Sequence, residues 1–251
     1  MERATTVLIT APPEDIEGIA ELLEGEEELS LLHLPLEIYE PVGGPDPPDG
    51  LEAALGRVEN IIYGRKRNAR FLLRSVRQRG LLRRVKELLN LAADRRTACY
   101  LEDEGIPAVY PGSDTPIDLV EFMLRFWRTG PALYPCGKNE QEEIPGLLQE
   151  LDIPVREYEL YRRAAPSSDA LDQYRQQIGE RPPDLIVCHS RRSVNRLRAA
   201  FPDLDLERAG IIAGNRGVAG KLKDLKLSAD YVAAGTWESI HGKVKQGVRA
   251  L

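Results

Sequence analysis

Short apolar runs alternate with longer amphipathic stretches along most of the chain. "TVLITA" (residues 6–11) predicts a strand, and "PPEDIEGIAELLEG" (12–25) a helix whose early acids, Glu14 and Asp15, suit a helix N-terminus. "LSLLHLPLEIYEP" (29–41) reads as extended, and "GPDPPDG" (44–50) as a break rich in proline and glycine. Further strands are predicted at "NIIYG" (60–64), "IPAVYPG" (106–112), "ALYPCG" (132–137), "DLIVCHS" (184–190), "AGIIAG" (209–214) and "DYVAAG" (230–235). Helices are predicted over 50–58, 68–79, 81–90, 95–105, 116–130, 140–152, 168–179, 191–201, 215–225 and 237–251, with a short apolar piece at 91–93. Strand-then-helix repeated with short loops implies a parallel sheet covered on both faces. In such sheets ligands lie off the carboxyl ends of the strands.

One segment breaks the pattern. "REYELYRRAAPSS" (156–168) alternates like a strand but is crowded with charge and carries two tyrosines. A strand buried on both faces should be nearly all apolar. There is also a weak internal echo: "ALYPCGKNEQ" and "LIVCHSRRS" both run from strand through small or polar residues into helix, which suggests two similar units.

Composition narrows the classes. The 251 residues carry 29% charged side chains, a net charge of −6 and a pI near 5.3, an ordinary globular balance. No apolar run approaches the roughly 18 residues needed to span a bilayer, and no secretory signal is evident. Cys99, Cys136 and Cys188 are far apart, as are the three histidines, so neither a zinc site nor a disulfide framework is indicated and a cytoplasmic location is expected. Residues 65–96 are strongly basic, from Arg65 to Arg96. They form either a solvated helix surface matched by acids elsewhere or a surface for an anionic ligand; no nucleic-acid signature accompanies them. No G-x-G-x-x-G follows the first strand, and no phosphate-binding Walker motif is present.

In the order and spacing of "PLEIYEP", "ALYPCGKNEQEEIPGLLQELDIPVREYELYRRAAP", "PDLIVCHSRRSVNRL" and "IIAGNRGVAGKL", the chain resembles the uroporphyrinogen-III synthase family. The resemblance implies two similar flavodoxin-like α/β domains with parallel sheets, joined by a two-stranded linker. One domain would comprise residues 1–35 plus 166–251, the other 41–153, with 36–40 and 154–165 as linker strands. Linker strands wetted on both sides would account for the polar segment. The implied reaction is cyclisation of hydroxymethylbilane, a linear tetrapyrrole fringed with carboxylates. Its terminal hydroxyl is lost and its last pyrrole ring inverted in a cleft between the domains, with no metal or organic cofactor. A monomer with neither membrane nor nucleic-acid partners is expected.

The resemblance also nominates residues. Tyr161 matches the family's cleft tyrosine and would donate a proton or hydrogen bond to the departing hydroxyl. Ser190 and Ser193 open a helix after a strand, where amides and hydroxyls suit a carboxylate; an ordinary N-cap explains Ser190 equally well. Gly214, Asn215, Arg216 and Gly217 form the next such turn, and Thr97, Gly137, Lys138, Gly64 and Arg65 the corresponding turns of the middle domain. His189 is the one imidazole the sequence places near this region, and a structural role is the default for it. Five positions depart from the family pattern: Ala11 stands for an arginine, Arg65 for a serine, Asp94 for a glycine and Arg216-Gly217 for a threonine pair. The alternative reading is a relative that binds tetrapyrrole or another anion without catalysis.

Overall fold

A computed structural model of the chain describes residues 3–24, 26–44, 49–126, 130–206 and 208–250. Parts of the predicted break at 44–50 and of the predicted helix end at 127–129 lie outside them. The chain divides into two compact units, Met1–Ile38 with Ala164–Leu251, and Tyr39–Arg163.

The first unit holds a five-stranded sheet of β1 (Thr5–Ile9), β2 (Leu29–His33), β9 (Leu185–Cys188), β10 (Gly210–Ala213) and β11 (Tyr231–Val232), in the order β11-β10-β9-β1-β2. Every pairing is parallel. The central runs "LIVC" and "GIIA" are apolar because helices cover both faces. On one face α9 (Arg191–Ala200) and α10 (Arg216–Asp224) contribute Val194, Leu197, Val218 and Leu222 to a cluster with Leu8, Ile186 and Ile211. Over the other, α1 (Pro13–Glu24) and α11 (Trp237–Val248) pack Ile16, Ile19, Ile240 and Val244 onto Val7, Ile9, Val187 and Ile212. The remaining helix, α8 (Ser168–Glu180), has no fully buried residue and rests on the first cluster through Leu171, Tyr174 and Ile178. Counted within the unit, the strand order is 2-1-3-4-5, and it reverses between β1 and β9.

The second unit holds β4 (Asn60–Tyr63), β5 (Leu89–Ala92), β6 (Ala108–Val109), β7 (Ala132–Gly137) and β8 (Val155–Ala164), with β3 (Ile38–Pro41) beyond β8, in the order β3-β8-β7-β4-β5-β6. The pairings from β8 across to β6 are parallel. Its helices are α2 (Leu51–Gly56), α3 (Lys66–Gln78), α4 (Leu82–Glu87), α5 (Arg95–Asp103), α6 (Pro116–Phe126) and α7 (Glu143–Glu150). Leu72 and Val76 of α3 and Leu101 of α5 pack on Ile61, Tyr63 and Leu133, while Leu119 and Met123 of α6 and Leu148 of α7 pack on Ile62, Leu91 and Tyr134. Counted from β4, the order is 3-2-1-4-5 and reverses between β4 and β7, so the two units are both doubly wound but are wound differently.

The polar strand is explained otherwise than expected. Strand β8 is a member of the second unit's sheet, and over its centre, Glu157–Tyr161, one face is wet and the other buried. Glu157 and Glu159 are exposed, while Tyr158, Leu160 and Tyr161 are buried in the core. The ladder to β7 runs Cys136↔Glu159 and then Gly137↔Tyr161. This bulge sets Leu160 and Tyr161 side by side on the buried side, a break in alternation that a bulge permits. The basic run at 65–96 is largely matched within the unit. Arg77 pairs with Glu104, Arg79 with Asp49 and Arg83 with Glu87, and Arg84 donates to the Leu55 and Val58 carbonyls. Among the described residues no helix is long and apolar enough to cross a membrane.

Candidate functional site

In each unit the nominated residues fall at the carboxyl ends of the strands, around the point where the strand order reverses. In the first unit β9 runs into α9 through Ser190, which caps the helix. Its Oγ accepts from the Ser193 amide at 3.1 Å, and Ser193 Oγ accepts from the Ser190 amide at 3.1 Å and donates to the Ser190 carbonyl at 2.6 Å. The Ser193 hydroxyl is thus consumed by the capping box, both accepting and donating, and Ser193 is buried, while Ser190 Oγ serves the box as an acceptor. Asn215 caps α10 in the same way, its Oδ1 accepting from the Val218 amide at 3.0 Å. Gly214 is needed for close approach, since a Cβ there would stand 2.9 Å from the His189 carbonyl oxygen. Arg216 is exposed; Gly217 takes a hydrogen bond on its carbonyl from Arg191 Nε at 3.2 Å. His189 stacks on Trp237 at 6.1 Å between ring centres.

A second imidazole sits at these strand ends. His33, the last residue of β2, places Nε2 2.9 Å from the Ala11 carbonyl and so ties down the turn after β1. Burial holds it below the ordinary histidine range. Glu37, also buried, meets Arg196 of α9 at 2.5 Å and anchors the chain just before it leaves the unit. Neither residue was marked by the sequence; a carboxylate in the apolar stretch "LPLEIY" was the one signal that pointed to Glu37.

The second unit brings together more than was nominated. The Tyr161 ring is fully buried, stacked on Phe71 at 4.7 Å and met edge-on by Tyr39 at 5.5 Å. Its hydroxyl lies 2.7 Å from Asn68 Oδ1 and 3.0 Å from Glu140 Oε2. Glu140 also receives Arg163 Nε at 2.7 Å and Arg67 Nη2 at 3.5 Å, and the Arg67 guanidinium lies 3.9 Å above the Tyr39 ring. Burial alone would raise the Glu140 carboxyl, but Arg163 and Arg67 outweigh it and hold it below the usual carboxylate range. Burial pushes the Tyr161 phenol far above the ordinary phenol range, against the pull of Arg67. A neighbouring carboxylate, Glu142, accepts from Tyr134 Oη at 2.5 Å and Asn68 Nδ2 at 3.2 Å, and lies 3.9 Å from Arg65 Nε.

The remaining nominees explain how this cluster is packed. A Cβ at Gly64 would overlap the Tyr134 hydroxyl, and one at Gly137 would come within 2.6 Å of the Tyr161 ring and 2.7 Å of the Glu140 carboxyl. These glycines make room for the chain's own side chains. The Lys138 amide donates to the Tyr161 carbonyl at 2.6 Å, and its side chain is exposed. Thr97 is buried, its amide and hydroxyl both given to Asp94, which caps α5. Arg65 takes the cap position of α3 without a capping hydrogen bond.

One electrostatic pattern spans both units. The helices following β4, β5, β9 and β10 open on Lys66-Arg67, Arg95-Arg96, Arg191-Arg192 and Arg216, with no acid in their first turns. Helices α1, α6, α7, α8 and α11 each carry an acid there. Cations at a helix N-terminus oppose the dipole, so the four basic openings do not serve helix stability. They gather positive charge where backbone amides already favour an anion. No cluster of metal-ligating side chains occurs among the described residues.

Two doubly wound parallel sheets, with four of the helices that follow their strands opening on basic residues and others on acidic ones, define a two-unit α/β protein. A family model described as Uroporphyrinogen-III synthase HemD matches residues 33–237. This chain belongs to that family. Two similar solved structures are a mutant uroporphyrinogen III synthase from the extremely thermophilic bacterium Thermus thermophilus and the uroporphyrinogen-III synthetase of Helicobacter pylori. The first is 18% identical, covers 99% of this chain and 100% of its own, and has a TM-score of 0.53. The second is 14% identical, covers 97% and 99%, and has a TM-score of 0.63. At such identity they show a common fold. No curated protein matches the sequence.

Proposed function

We propose that the chain cyclises hydroxymethylbilane, with inversion of the terminal pyrrole ring, and that residues at its strand ends hold the substrate. The carrying observation is the set of basic helix openings after β4, β5, β9 and β10, which suits a ligand fringed with carboxylates. Arg191, Arg192 and Arg216 meet those carboxylates in the first unit. The first-turn amides of α9 and α10, behind the Ser190 and Asn215 caps, face the anion; Ser193 supports the cap, and Gly214 and Gly217 give room to His189 and Arg191. In the second unit Gly137 and the Lys138 amide lie against Tyr161 on β8, while Gly64, Arg65 and Thr97 belong to the turns that open α3 and α5. Binding a flexible chain at several carboxylates brings its ends together, which lowers the barrier to closure through proximity.

Tyr161 serves as a neutral hydrogen-bond donor to the departing hydroxyl. A phenol is protonated near neutral pH, so its proton is there to share. The ring is fully covered, so its hydroxyl reaches substrate only when side chains packed on it shift. The test is the product isomer formed from freshly generated hydroxymethylbilane. The type III macrocycle is expected; a ratio equal to that of the protein-free control, where the type I ring forms, overturns the reading.

A further inference from the structure

We propose that Glu140 is a positioning residue for Tyr161, holding the phenol where it can act. This rests on the reading that Tyr161 shares its proton with the departing hydroxyl. The phenol has one proton and faces two acceptors, Asn68 Oδ1 at 2.7 Å and Glu140 Oε2 at 3.0 Å. Asn68 is oriented by donating its own amide to Glu142, so its oxygen points at the phenol by necessity. Glu140 in turn is fixed from two sides, by Arg163 on Oε1 and by Arg67 on Oε2. Its carboxylate therefore joins the phenol to both arginines, and through Arg67 to the Tyr39 ring above.

The backbone is arranged for this contact. The β7–β8 bulge turns Tyr161 inward at the level of Gly137, the last residue of β7. Gly137 leaves space that a Cβ would take from both the Tyr161 ring and the Glu140 carboxyl. Asn139 adopts φ 57°, a left-handed turn that brings Glu140 back toward the sheet. With two acceptors for one proton, the O–H can turn between them without moving the ring. Losing the carboxylate would free the turn and both guanidiniums, and displacement of a catalytic group by about 1 Å costs on the order of 100-fold.

The experiment measures kcat and KM with hydroxymethylbilane for the wild type, Y161F, E140Q and the double variant, with thermal melts alongside. Expected are a kcat loss of about 100-fold in Y161F and of roughly tenfold in E140Q, with KM within about threefold of wild type. The double variant should be no slower than Y161F, because Glu140 acts only through the phenol. Wild-type kcat in E140Q, with Y161F impaired, overturns the role of Glu140 and leaves that of Tyr161 standing. Wild-type kcat in Y161F overturns the Tyr161 reading itself. Losses that multiply in the double variant, or a raised KM with kcat unchanged in E140Q, also overturn the assignment. Should E140Q fail to fold, R163M removes the more exposed of the two arginines, whose side chain is 34% accessible against 6% for Arg67. A kcat loss of about threefold at constant KM is then expected, and an unchanged kcat refutes the proposal.

Discussion

Replacing Arg192 and Arg216 by glutamine separates ligand binding from helix stability, because the two effects have opposite signs. Both residues are exposed, and both sit in the first turn of a helix capped by a neutral side chain. Among the described residues neither forms an ion pair with a carboxylate. Removing a cation from a helix N-terminus relieves about 0.3–1 kcal/mol of dipole repulsion, so the double variant should gain roughly 0.6–2 kcal/mol. At about 2–4 °C per kcal/mol for a chain of this size, the melting temperature rises by several degrees. A hydrogen bond to a charged group contributes about 1.5–3 kcal/mol; discounted for exposure to about 1 kcal/mol each, losing two weakens binding by about 30-fold. The assay is KM for hydroxymethylbilane at low salt and again near 1 M, where screening shortens to roughly 3 Å and wild type and variant should converge. A raised melting temperature with unchanged KM would show that these helix ends hold no substrate. A lowered melting temperature would show that the arginines serve the fold.

Tyr161→Phe is expected to lower stability by about 1–3 kcal/mol as well as kcat, since Asn68 Oδ1 loses its donor in a buried setting; urea melts measure it. Gly64→Ala forces Tyr134 and its bond to Glu142 aside and should cost about 1–3 kcal/mol by the same measurement. Glu37→Gln leaves Arg196, whose side chain is 33% exposed, without its carboxylate, for a loss of about 1–3 kcal/mol, below the range for a fully buried pair. His33 is depressed by burial from 6.5, so the unfolded chain binds the proton more readily than the native one. Its contribution to stability is therefore intact above pH 6.5 and is lost as pH falls below it. His33→Gln should flatten that part of the stability profile, and an identical acid slope in the variant would contradict this.

The sheets were legible because parallel strands buried on both faces must be short and apolar, and "NIIY", "LIVC" and "GIIA" admit no other reading between helical stretches. Strand β5 was less visible. Its residues Leu89–Ala92 follow "LLRRVKEL" without a turn signal, so the helical pattern runs on to residue 90 and leaves only a fragment beyond it. The bulge in β8 left no mark either, since a skipped residue changes which face is wet without changing composition. Glu140 and Glu142 lie in "GKNEQEE", which reads as a solvated loop; only the strand order, which sets the end of β7 beside that of β4, turns these acids onto Asn68, Arg67 and Tyr161. Conversely, Thr97 and Ser193 have the right chemistry for an anion but spend it on their own helix caps.

Cap chemistry makes the two units unequal as anion binders. In the second, Asp94 caps α5, Glu142 lies beside Arg65 at the start of α3, and Glu140 occupies Arg67, Arg163 and Tyr161. These carboxylates are tethered, so a substrate carboxylate can take their place only against a high effective concentration. In the first unit the recorded caps are Ser167, Ser190, Asn215 and Thr236, none of them charged, and the dipoles of α9 and α10 meet no carboxylate of the chain among the described residues. Affinity should therefore be set by the first unit, and the carboxylates of the second should govern how Tyr161 is presented, which is why substitutions at Arg192 and Arg216 are expected in KM and those at Glu140 in kcat.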